Sequence, residues 1–188
     1  MISSTQNEDR SGPLTIVVTD PALTAARHAR VVLCLTDDGR DPALRYARRA
    51  AASLTAYLGV RLVLSDRTRE SWEMTPHVIG PATLKDVERR GDTYLVSQIR
   101  EVQALGVRDV LAVAPSNPSV DAVGDAVETV GADVVVIPER YDRPKPADHM
   151  LLRGTSLERA IAERVRVRVL VAHPDGHVTL GRLRAATW

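Results

Sequence analysis

Five short β-branched runs recur along this chain, and amphipathic helical stretches separate them. The runs are "RVVLCLT" from residue 30, "VRLVLS" from 60, "DVLAVA" from 109, "DVVVI" from 133 and "RVRVLVA" from 166. Each is nearly continuous in apolarity, which a strand needs only when both faces are covered. Between the first two, Leu44, Ala47, Ala51, Leu54 and Leu58 fall at helical spacing, and Gly59 stops them. Leu84, Val87, Leu95, Ile99 and Val102 mark one helix that ends near Gly106. Val120, Val123, Val127 and Val130 line another, opened by Asn117 and Pro118. A last helix is expected over 156–164. Alternation of this kind predicts an α/β fold: a doubly wound, mainly parallel five-stranded sheet with helices on both faces.

Short extensions flank that unit. Residues 1–12 are polar and read as a disordered tail. Residues 13–30 form an N-terminal extension in which "LTIVV" is a candidate extra strand and Asp20-Pro21 starts a short helix. The main domain spans 31–173. Residues 174–188 hold a turn at Pro174-Asp175-Gly176, a short strand at 178–180 and a tail.

Composition narrows the function. The chain has 188 residues and a formal net charge of +1, so no global field draws it to nucleic acid or to a membrane surface. Aromatic residues are 3% with no Phe, which leaves little to stack on bases. No run approaches a membrane span, and the opening residues lack the apolar core of a signal peptide. A soluble cytoplasmic protein is expected. Cys34, the one cysteine, sits inside an apolar run and reads as a buried, inert thiol.

Ligands of doubly wound sheets gather at the C-terminal ends of the strands. There lie Thr36, Asp37, Asp38 and Gly39, then Ser65-Asp66, then 114–117 with Ser116, then Pro138 onward. The carboxylates of Asp37 and Asp38 suit a ribose hydroxyl, a base amino group or a metal ion; a solvated Asx turn uses the same residues. A receiver-type acidic pocket is excluded, since Ala114-Pro115 stands where its third Asp belongs. Gly154-Thr155-Ser156 opens a helix, and Thr155 with Glu158 has capping-box spacing. The same helix start offers free N–H groups to a phosphate. Arg140, Arg143, Lys145 and Arg153 add positive charge nearby. The histidines are scattered without metal spacing, and no nucleophile elbow, Walker loop or catalytic set occurs.

In order along the chain, these segments resemble the universal stress protein family over roughly residues 30–173. The acidic turn at Thr36-Asp37-Asp38-Gly39, "AL..A" at Ala43, Leu44 and Ala47, and Gly106-Val107 carry the resemblance. So do "SNPSVDAV", with Ser116 where Gly is usual, then "GADVVVIP", "LLRGTSLERAI" and "VRVLVA". Nucleotide-binding members wrap phosphates in a G-x-x-G-(nine residues)-G-[ST] loop. Only its end stands here, as Gly154-Thr155. Pro138 takes the first glycine's place and Tyr141 the second's, so a backbone N–H is deleted and bulk is added where phosphate would lie. The resemblance thus implies a non-catalytic regulatory or interaction module, without the usual ATP binding and without an assigned cofactor, acting on an unknown protein client. An adenine-nucleotide or anion sensor is the alternative. ATP or AMP would then sit on Thr36, Asp37, Asp38, Ser116, Arg140, Arg153, Gly154, Thr155 and Ser156. Nucleotidyl chemistry at Asp37 and Asp38 is a third reading. The resemblance also implies a homodimer through a sheet edge.

Overall fold

The computed structural model describes residues 15–37, 41–66, 80–114, 120–139 and 167–181. Among these residues, seven strands form one sheet: β1 (Val17–Val18), β2 (Val31–Thr36), β3 (Arg61–Asp66), β4 (Val110–Val113), β5 (Val134–Pro138), β6 (Arg168–Ala172) and β7 (His177–Leu180). Their order is β1-β7-β6-β5-β2-β3-β4. Strands β2 to β6 run parallel, in the doubly wound arrangement expected. The two extension strands join the same sheet. β7 pairs antiparallel with β6, and β1 pairs parallel with β7. The N- and C-terminal extensions therefore share one edge in series and do not compete for it.

The described helices are α1 (Asp20–Ala26), α2 (Pro42–Leu58), α3 (Leu84–Arg90), α4 (Thr93–Ala104) and α5 (Val120–Val130). Strand parity divides the core. Val32, Cys34, Leu62, Leu64, Val136 and Leu170 bury against one helical layer, with Ala22 and Ala26 of α1, Ala51 and Leu54 of α2, and Ile99 of α4. Leu33, Leu35, Val63, Val135, Ile137 and Val169 bury on the opposite side, with Ala126 and Val127 of α5. Continuous apolar strands are the result, because their buried residues divide between the two covered faces. Small side chains on α1 let its backbone approach the sheet, and Arg168 Nη1 donates to Ala25 O at 2.7 Å.

Two expectations change at this level. The periodic stretch from Leu84 to Val102 is two helices. Gly91 takes φ +79°, open to glycine but strained for other residues, and ends α3. Asp92 then caps α4, its Oδ1 accepting from Leu95 N at 2.9 Å. The spacing from Val87 to Leu95 preserves the apolar face across the break, which is why the period alone hides it. Second, Arg168 alternates with Val169 and Val171, a pattern that suits a strand at a sheet edge. Leu170 is fully buried and β6 is an interior strand, because β7 lies beside it. Arg166 falls outside the described residues, as do the 1–12 tail and the 156–164 helix.

At the far end of the sheet, Ala82 exchanges both backbone hydrogen bonds with Ala112 of β4, at 2.8 and 2.9 Å. At the base, Asp133 Oδ2 accepts from Arg30 N and Val31 N at 2.8 and 3.1 Å, fixing the entry of β2 against β5. Cys34 is buried at the sheet centre, and loss of solvation pushes its thiol up to about 12, against a smaller opposing effect of Arg48. A thiol so rarely ionised is unreactive. Labelling by a thiol-specific disulfide reagent is expected to wait on unfolding. A labelling rate in native buffer equal to that in denaturant would contradict this.

Candidate functional site

The chain leaves β2 toward β3 on one side and β5 toward β6 on the other. The crevice between the C-terminal ends of β2 and β5 is thus the switch point of the sheet. Thr36 and Asp37 stand at one lip, Pro138 and Glu139 at the other. Asp41 follows the acidic turn and caps α2, accepting from Ala43 N at 2.9 Å, with Pro42 in the first turn.

Thr36 is fully buried. Its hydroxyl donates to Gln98 Oε1 at 2.5 Å and accepts from Arg48 Nη1 at 3.0 Å. The same Gln98 amide donates through Nε2 to the backbone carbonyl of Asp37. Arg48 continues the chain of contacts: its Nε and Nη2 donate to Glu101 Oε2 at 3.1 and 2.8 Å. Arg45 Nε lies 3.9 Å from the other Glu101 oxygen. Two residues of α4 and one of α2 therefore grip the end of β2 from behind. A guanidinium this deeply buried is tolerable because one carboxylate neutralises it and its donors find oxygens.

On the opposite sheet face, Ser65 sits beside Leu35, buried near the end of β3. Among the described residues, its hydroxyl oxygen has no hydrogen-bond partner. Among the described residues, no three His, Cys, Asp or Glu side chains converge as a metal site, and no helix is long and apolar enough to cross a membrane.

Of the residues singled out from sequence, Thr36 and Asp37 come together under Gln98. Asp38, Ser116, Arg140, Arg153, Gly154, Thr155 and Ser156 lie outside the described residues, as does Tyr141. Pro138 is buried and pairs in register with Ala172 of β6. Sequence reasoning missed Arg48, Gln98 and Glu101. A signal was present. Arg48 interrupts the apolar stripe of α2 between Leu44 and Ala51, and Gln98 does the same between Leu95 and Val102. A polar side chain on a helix's buried face needs a partner inside the fold.

No protein-family model and no curated protein matches the chain. Solved structures do match. A universal stress protein in complex with cAMP is 21% identical, with 77% of this chain and 97% of that one covered and a TM-score of 0.50. A member of the same family from Burkholderia pseudomallei is 17% identical, covering 76% and 94% at a TM-score of 0.46. The universal stress protein UspA of Lactobacillus plantarum is 12% identical, covering 75% and 95% at 0.48. The chain has the universal stress protein fold, as its ordered motifs imply.

Proposed function

We propose that the chain is a universal-stress-protein-like cytoplasmic module that regulates through protein contacts, without catalysis and without the family's usual ATP binding. The observation that carries this reading is Pro138. It ends β5 at the switch point, buried, and it brings no N–H to a site where phosphate binding needs backbone donors. The other lip supports the same view. The Thr36 hydroxyl and the Asp37 carbonyl already have protein partners in Gln98 and Arg48. Calorimetry with ATP, ADP and AMP is expected to give no saturable heat at micromolar concentrations. A dissociation constant near 1 μM, about −8 kcal/mol, would overturn the reading.

One fold neighbour was solved with cAMP, and this favours a second reading as an adenine-nucleotide or anion sensor. In it, Gly154, Thr155 and Ser156 supply N–H groups, and Arg140 and Arg153 replace lost backbone donors with side-chain charge. Mass spectrometry of small molecules released from freshly purified protein separates the two readings. If a nucleotide is found, Gly154→Val is expected to abolish its binding and leave the fold intact.

A further inference from the structure

His173 and His177 stand opposite each other across the turn that joins β6 to β7. The pairing of Ala172 with Val178 continues one step further, with His173 N donating to His177 O at 2.8 Å. Pro174, Asp175 and Gly176 form the loop; Gly176 takes φ +91° and its N–H bonds to His173 O at 3.0 Å. Ala172 and Val178 bury on the side of α1 and α2. Their neighbours His173 and His177 therefore turn to the other face of the sheet, side by side. Three intervening residues carry no metal signal in a linear sequence. Closed into a hairpin, they bring two imidazoles together.

Each ring is held by a carboxylate through the same nitrogen. His173 Nδ1 lies 3.4 Å from Glu139 Oε2, at the end of β5, and His177 Nδ1 lies 3.0 Å from Asp175 Oδ2. Asp175 is fixed in turn, its Oδ1 accepting from His177 N at 3.0 Å. That bond does most to hold the Asp175 carboxyl below its ordinary value, and both imidazoles, when charged, add to it. A carboxylate on Nδ1 keeps the proton there and leaves the lone pair on Nε2, the arrangement that stands behind metal-bound histidines. His173 Nε2 points toward β7, 2.8 Å from Thr179 Oγ1. The His173 side chain is 26% exposed and that of His177 50%, so solvent ions reach both.

We propose that His173 and His177 bind a divalent transition-metal ion of the zinc, nickel and copper group through Nε2, with Glu139 and Asp175 orienting the rings from behind. Directly opposed residues have Cβ atoms about 4.5–5.5 Å apart. Two metal–imidazole bonds of about 2.0–2.1 Å span the gap between rings that lean together. Among the described residues no third His, Cys, Asp or Glu converges on the pair, so water completes the shell. Thr179 Oγ1 yields Nε2 to the ion and is left to bond one of those waters. Imidazole ligands select this group of metals over magnesium and calcium. With two protein ligands in place of a closed set of four, the ion exchanges, as a signal must. The inference uses none of the residues on which either reading of the ligand site rests.

Calorimetric titration of the metal-stripped full chain with zinc chloride tests it. One ion should bind per chain. Glu139→Gln should weaken that binding about tenfold without changing the stoichiometry. His177→Ala, at an exposed position, should weaken it further, and His28→Ala, at the exposed histidine before β2, should leave it unchanged. With copper(II) as the probe, electron paramagnetic resonance should show two imidazole nitrogens in the full chain and one in His177→Ala. A full chain that takes up no zinc overturns the inference. So does a double variant, His173→Ala/His177→Ala, that binds zinc as the unaltered chain does. Should the double variant not fold, His177→Ala decides alone: unchanged zinc affinity there rules the site out.

Discussion

Glu101→Ala is expected to lower the free energy of unfolding by about 2 kcal/mol. Removing one partner of a fully buried pair costs about 3–5 kcal/mol, because a charge is left without compensation. Here the Arg48 side chain is 4% exposed but Glu101 is 31% exposed, so water reaches the pair from one side and the cost falls below that range. Thr36 still accepts one guanidinium bond after the change, which also moderates the loss. Arg48→Met is the informative companion. It removes the buried charge itself and leaves Glu101 free to face solvent, so it should cost less, about 1 kcal/mol for the hydrogen bonds forfeited. Urea denaturation of both variants gives the comparison. If Arg48→Met proved the more damaging, the account of Glu101 as the counter-charge for a buried guanidinium would fail.

A larger loss, about 3 kcal/mol, is expected for Leu33→Ala. Leu33 is fully buried in β2, the middle of the central parallel strands, paired with Val63 on one side and Val135 on the other. Strands on both flanks and α5 on the same face hold the surroundings in place. The cavity cannot collapse, so the penalty includes both lost transfer energy and lost packing. Tyr57→Ala on the outer face of α2, 76% exposed, should stay within about 0.5 kcal/mol. Equal losses at these two positions would mean that the sheet is not the stability core.

These two predictions mark where the sequence was legible. Leu33 announces itself: it lies in a run of apolar β-branched and aliphatic residues too regular to be anything but a two-sided strand. The five central strands and their parallel sense could be read in the same way. Glu101 does not announce itself. On sequence alone it is one more charged residue in a helix, since nothing local shows that α4 packs behind the end of β2. The meeting of Arg48, Gln98 and Thr36 is long-range, spanning 62 residues from Thr36 to Gln98. The candidate site was legible only as chemistry at strand ends. Sequence pattern placed Thr36 and Asp37 at the end of a strand, but it could not show that Gln98 holds both from behind. The break at Gly91 and the order of the outer strands were hidden for related reasons. A helix-ending glycine preserves the period on either side of it, and edge order depends on which segment reaches the ladder first in space.

The single bridge at Ala82 bears on the size of any assembly. A sheet that can recruit strands at both ends grows without limit, as fibres do. Here the end at β4 is a strand of four residues, and Ala82 already consumes both groups that Ala112 turns outward. Among the described residues, an added strand would have to join at the opposite end, beside the two-residue β1. A sheet blocked at one end cannot stack edge to edge into a fibre, so any assembly through its edges would close at two.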